Sequence, residues 1–185
     1  MPDIPKSYIA VLKKFNEMNE DIKNYYESLP HLINEGHFYE VCIGYLFYRL
    51  EQAYHRILYC GLMKLHQTEK NLTDTALQSW RITREDFEHK IENIFGKKLP
   101  NSIKLKKNYA EDIRDKSLHG KTASDEEKRK AICDILEYSQ ELNQFIFDKG
   151  GFNPFGKLQG FKGAASPLSK SSTRWILKGI GFQLQ

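Results

Sequence analysis

The strongest constraint on this chain is the spacing of its apolar residues, which recur at threes and fours over most of its length. The stretch from about His37 to His66 shows it most fully. Cys42, Tyr45, Leu46, Leu50, Tyr54, Ile57, Leu58 and Leu62, with Phe38 and Val41 before them, cover more than one face of a helix. Such a helix belongs in the middle of a helical assembly or in an oligomer interface. Gly44 and Gly61 each lower its propensity by about 1 kcal/mol relative to Ala, which suits close packing. Arg49, Glu51, His55 and Arg56 interrupt the apolar surface, and Glu51–His55 has the spacing of an i,i+4 pair.

The same period places the other helices. Tyr8, Leu12, Phe15, Met18, Ile22 and Tyr25 predict one amphipathic helix from about Lys6 to Ser28, interrupted by Pro30. Residues 71–80 read as a polar connection with a turn of helix around Leu77. Thr83-Arg84-Glu85-Asp86 fits a capping box and opens a third helix that ends at Gly96. After Pro100, a fourth helix is expected to turn Leu105, Tyr109, Ile113 and Leu118 inward. Ser124-Asp125-Glu126-Glu127 is a second capping box, and Ile132, Leu136, Leu142 and Ile146 carry the fifth helix to about Asp148. The expected fold is all-α: an antiparallel bundle of four to five helices over residues 1–149. Strands do not alternate with helices, and there is no internal repeat.

A chain of 185 residues, 40% apolar and 28% charged, can bury a core as one domain with an appendage. Cys42, Cys60 and Cys133 sit within apolar helical patterns without CxxC spacing, as reduced thiols of a cytosolic protein would. No charged leader precedes an apolar segment, and no apolar run approaches the roughly twenty residues that span a bilayer. A soluble, cytoplasmic protein with no membrane partner is expected. His31, His37, His55, His66 and His89 lack ligand spacing, so neither a metal nor another cofactor is implied. The net charge of +4 permits a nucleic-acid partner without establishing one.

Residues 150–185 differ in composition and are expected to form an irregular, Gly-rich, basic extension. They hold seven of the twelve glycines, five cations including Lys162 and Arg174, and no acid. Phe152, Phe155, Phe161, Trp175 and Phe182 are interleaved among them. Cations, glycine and aromatic faces together suit a flexible strip along single-stranded nucleic acid, with Lys162, Arg174 and Trp175 as RNA contacts. The alternative is that the aromatics pack on the helical body. Ser171-Ser172-Thr173 is a candidate cap for a short helix through Ile176.

Glu111 to Lys121 carries the chemistry. Here a helix ends at Gly120, with Arg114 in its last turns and His119 at the fraying end. Helix C-termini favour cations, and an imidazole moves protons near neutral pH. Arginine adds a permanently cationic fork shaped for phosphate. The bland alternative is a surface Arg beside a capping His. Five residues subtend about 140° beyond whole turns, so the two side chains converge only where the helix unwinds near Ser117.

Arg114, Asp115, His119 and Gly120, set in a helical chain before a last long helix, resemble the Arg-x4–6-His signature of the HEPN families. The resemblance covers residues 6–148 and implies a metal-independent endoribonuclease. The ribose 2′-hydroxyl would attack the adjacent phosphorus, with catalytic residues Arg114, His119 and Asp115. One histidine per chain cannot serve as both base and acid, so the resemblance implies a homodimer whose motifs face each other. Lys116, Ser117 and Lys121 are candidate RNA contacts by proximity, and polar Arg49 and Glu51 are secondary candidates. Family context implies a toxin–antitoxin or defence role restrained by an antitoxin or regulatory protein. The competing reading is a non-catalytic HEPN-like module that binds RNA, a nucleotide or a partner protein.

Overall fold

A computed structural model describes residues 4–34, 38–80, 83–158, 161 and 165–184, with the backbone alone for Arg84. All regular structure among these residues is helical, in α1 (Tyr8–Asn16), α2 (Glu20–Tyr25), α3 (Leu29–Asn34), α4 (Tyr39–Leu65), α5 (Lys70–Gln78), α6 (Arg84–Phe95), α7 (Asn101–Leu118), α8 (Asp125–Gly150) and α9 (Lys170–Ile180). None of these helices is long and apolar enough to cross a membrane. The chain divides into two units, one of residues 1–50 with 100–144, the other of residues 51–99 with 145–185.

In the first unit, the single helix expected over Lys6–Ser28 is instead two short ones, α1 and α2, and a third, α3, follows them. Asn19 explains the first break. Its side chain accepts from the Ile22 N–H at 3.0 Å as an N-cap, and its own N–H donates to Gln140 Oε1 at 2.9 Å. Pro30 does not end a helix but lies in the first turn of α3, where a missing N–H costs no helical bond. Val11, Phe15, Ile22, Cys42, Leu46 and Leu136 are among the buried side chains. Helix α8 gathers its neighbours through polar ties. Ser139 Oγ meets the Tyr26 hydroxyl at 2.9 Å, Glu137 takes Lys14 at 2.5 Å and Lys106 at 2.8 Å, and Lys128 pairs with Glu40.

The inward face of α7 also differs from expectation. Leu105 and Leu118 are 67% and 73% exposed, while Ile103, Lys107, Ala110 and Ile113 are buried. Lys107 can lie there because Glu111, one turn on, meets its ammonium at 3.1 Å. This register also decides where Arg114 points.

In the second unit, Gly61 of α4 packs closely on α6. A Cβ there would lie 2.7 Å from Ile94 Cγ2 and 2.9 Å from Phe95 Cζ. Tyr54 stacks on Phe87 with ring centroids 3.8 Å apart. The stretch expected as a polar connection is helix α5, because polar groups cap and anchor it. The Glu69 carboxylate accepts from the Asn71 and Leu72 N–H groups at 3.0 Å each, and buried Thr73 donates to the Glu69 carbonyl at 2.8 Å. Residues 170–180 form a regular helix, α9, that contacts α5 and α6. Ser169 rather than Ser171–Thr173 is its cap, accepting from the Ser172 N–H at 3.1 Å.

Candidate functional site

Helix α7 delivers the Arg114–His119 stretch and ends in a defined way. His119 caps it just past Leu118 (φ −95°, ψ 18°), and its N–H donates to the Asp115 carbonyl at 3.0 Å. Gly120 follows in the left-handed region at φ 69°, which a glycine adopts without steric cost. The Lys121 N–H then reaches back to the Lys116 carbonyl at 2.9 Å, closing a Schellman-type cap. The backbone is therefore helical through Leu118. The unwinding near Ser117 that would turn Arg114 and His119 toward one another is absent: the helix is unbroken there, and Ser117 donates its hydroxyl to the Ile113 carbonyl at 3.1 Å.

The structure brings Arg114 and Asp115 together. Nε and Nη2 of Arg114 donate to Asp115 Oδ1 at 3.2 and 3.1 Å, and the guanidinium lies 4.4 Å from the centroid of the Phe47 ring. The ring supplies a cation–π shelf and the carboxylate holds the fork in plane. Among the described residues Nη1 has no partner and stays open to an anion. His119 is exposed, and its imidazole has no hydrogen-bond or ionic partner among the described residues. Asp115 thus positions the arginine and not the imidazole.

The neighbouring candidates differ in their availability. Lys116 is engaged by Glu127 at 3.2 Å. Glu127 also accepts from the Ser124 N–H at 2.8 Å while its own N–H donates to Ser124 Oγ at 3.2 Å, the capping box expected at the start of α8. That backbone bond first, and then Lys116, hold the Glu127 carboxyl below its ordinary pKa. Lys121 is exposed. Of the secondary candidates, Arg49 is committed to Tyr25, donating to its carbonyl, while Glu51 is exposed.

The extension divides in the same way. Phe152, Phe155 and Phe182 are buried, which the packing alternative anticipated and a nucleic-acid strip did not. Arg174 and Trp175 stand exposed on α9, and Lys162 lies outside the described residues. Arg114, His119 and their neighbours belong to the first unit, Arg174 and Trp175 to the second. Among the described residues, no three His, Cys, Asp or Glu side chains gather in a way that could hold a metal ion.

The sequence reading missed two participants. Phe47 carries Arg114 but lies on another helix, and no local pattern points from one to the other. Glu127 forms half of the capping box its spacing predicts, but its ion pair with Lys116 has no signal in the sequence. Comparison of the chain with protein-family models, curated proteins and solved structures finds no match in any of the three.

Proposed function

We propose that the chain is a HEPN-type, metal-independent endoribonuclease acting as a homodimer. The observation that carries this reading is the held guanidinium of Arg114, one terminal nitrogen open, on a helix that ends at an exposed histidine. In the proposed reaction one His119 takes the proton of a ribose 2′-hydroxyl, whose oxygen forms a bond to the adjacent phosphorus. The bond from phosphorus to the 5′-oxygen breaks, and the partner's histidine protonates that leaving oxygen. Two copies of Arg114 stabilise the extra charge of the five-coordinate phosphorus. Since Arg114 and His119 of one chain are not turned together, groups from two chains are required. Lys121 adds an exposed cation for the substrate backbone. The proposal includes an antiparallel bundle with a Gly-rich basic extension, working in the cytoplasm under restraint by an antitoxin or regulatory protein.

The test is cleavage of mixed single-stranded RNA with EDTA present, comparing the wild-type chain with Arg114→Ala and His119→Ala. The expected result is metal-independent cleavage that both substitutions abolish, with helical spectra and dimers retained. Cleavage that survives in purified His119→Ala would refute the assignment.

A non-catalytic module binding RNA, a nucleotide or a partner protein is the second reading, favoured by one observation. The His119 imidazole has no orienting partner among the described residues, whereas a general base is commonly held in place by one. Absence of cleavage by a folded, dimeric wild-type chain across varied RNAs selects this reading.

A further inference from the structure

One surface of the second unit is built for a contact that the cleavage chemistry at Arg114 and His119 does not itself use. Helix α9 is held firmly on its inner side. Thr173, Leu177 and Ile180 are buried, Thr173 Oγ1 accepts from the Glu69 N–H at 3.0 Å, and Ser169 caps the first turn. At the far end Gly181 adopts φ 97°, and the Phe182 N–H bonds the Leu177 carbonyl at 2.9 Å. The opposite side of the helix is therefore presented to solvent as a preformed face.

That face carries Lys170, Arg174 and Lys178 at four-residue intervals, with Trp175 beside Arg174, all exposed. Four residues advance a helix by about 6 Å and turn it about 40° beyond a full turn, so the cations form one gently inclined row. The interval is comparable to that between neighbouring phosphates of a single strand. None of the three cations is ion-paired among the described residues, and residues 150–185 contain no acid to neutralise them. The carboxylate that feels Lys170 is Glu69, which is already spent capping α5. Trp175 is 76% exposed, so its indole has no packing role to account for it.

We infer that the outer face of α9 docks single-stranded nucleic acid: a base stacks on Trp175 while phosphates sit along Lys170, Arg174 and Lys178. The combination of a cationic track with one open aromatic ring is the chemistry such strands recognise. A membrane surface fits less well, because a helix lying on lipid inserts its apolar side, and that side of α9 is buried in the protein. An acidic polypeptide would use the cations but leave the indole idle. The inference does not depend on cleavage, and an oligodeoxynucleotide, which lacks the 2′-hydroxyl, tests it separately.

The experiment measures binding of short labelled oligodeoxythymidylate and oligouridylate by fluorescence anisotropy across a salt series, with tryptophan emission recorded in parallel. The expected result is binding that quenches emission. Replacing Lys170, Arg174 and Lys178 together by Ala should reduce the slope of log K against log salt by roughly 2, three contacts at about 0.7 each. Trp175→Ala should weaken binding roughly 5- to 100-fold, abolish the quenching and leave the slope unchanged. These side chains are exposed, and an unchanged circular dichroism spectrum and thermal midpoint verify that α9 holds. No binding at low salt overturns the inference, as does an unchanged slope in the triple variant. Stronger association with phosphatidylserine vesicles or polyglutamate than with either oligonucleotide also overturns it, in favour of a lipid or an acidic protein.

Discussion

Tyr25 and Arg49 hold each other by opposite ends. The Tyr25 hydroxyl donates to the Arg49 carbonyl at 2.7 Å, while Nε and Nη2 of Arg49 donate to the Tyr25 carbonyl at 3.1 and 2.8 Å. The guanidinium lies 4.3 Å from the Tyr25 ring centroid. Bonds to both carbonyls join the end of α2 to α4, so the Arg49 charge serves the fold. Arg49→Lys keeps the charge but loses the two-nitrogen fork, and should cost about 1–3 kcal/mol in urea unfolding. Tyr25→Phe should cost about 1 kcal/mol, and a double-mutant cycle should show coupling of at least about 0.5 kcal/mol. Additive effects would mean the two residues act independently.

Gly44 and Gly61 lie on the same helix but should respond in opposite senses. A Cβ at Gly44 meets nothing within 4 Å, so Gly44→Ala should stabilise by about 0.5–1 kcal/mol through helix propensity alone. At Gly61 the methyl would press on Ile94 and Phe95, and Gly61→Ala should destabilise by about 1–3 kcal/mol. Thermal melts of the two variants check the sign.

Lys90, 1% exposed, donates to Asp86 Oδ1 at 2.6 Å and to the Gly181 carbonyl at 3.2 Å, with its ammonium 4.6 Å from the Phe182 ring centroid. It thereby fastens the C-terminal end of α9 to α6. Lys90→Ala leaves a cavity and an orphaned carbonyl, and should cost about 2–4 kcal/mol. Hydrogen exchange should then accelerate in α9 more than in α4; uniform acceleration would contradict a local fastening role.

Acid should loosen the first unit. The bond from Lys128 holds the Glu40 carboxyl below its ordinary range against an opposing effect of burial, and Glu127 is lowered as described above. A carboxyl with a depressed folded pKa contributes stability above its unfolded value, near 4.3, and loses it as pH falls through the folded value. Asp134 works in the opposite sense. Burial raises its pKa despite the bond from Lys130, so its contribution is present at low pH and lost as pH rises. Against the raising effect of burial, bonds from Lys106 and Lys14 also lower the Glu137 carboxyl. With these three carboxyls against Asp134, the thermal midpoint should fall between about pH 6 and pH 3, and Glu127→Gln should flatten the fall. An equally steep fall in that variant would remove Glu127 from the account.

Local signals in the chain were readable, because the residues that make them lie within a turn of one another. Ser124 and Glu127 form the capping box their spacing announces, Thr83 accepts from the Asp86 N–H at 3.3 Å as an N-cap, and Gly96 and Gly120 adopt the left-handed backbone of helix ends. The Arg114–Asp115 contact is of the same kind. What misled were the same signals where distant partners overrode them. Asn19 breaks a continuous apolar stripe with help from Gln140, and buried Thr73 anchors a polar segment as a helix by bonding Thr68 and Glu69.

The amino-acid sequence alone determined that helices form, where most of them start and stop, and that Arg114 and His119 stand at one helix end. Only the tertiary structure decided which faces turn inward. On α7 that choice buried Lys107 beside Glu111, exposed Leu105 and Leu118, and laid Arg114 on Phe47. On α9 it hid Leu177 and left Trp175 in solvent. Helix periodicity gives the angle between side chains on one helix, but the direction of that stripe depends on which remote side chains offer it apolar area and ionic partners.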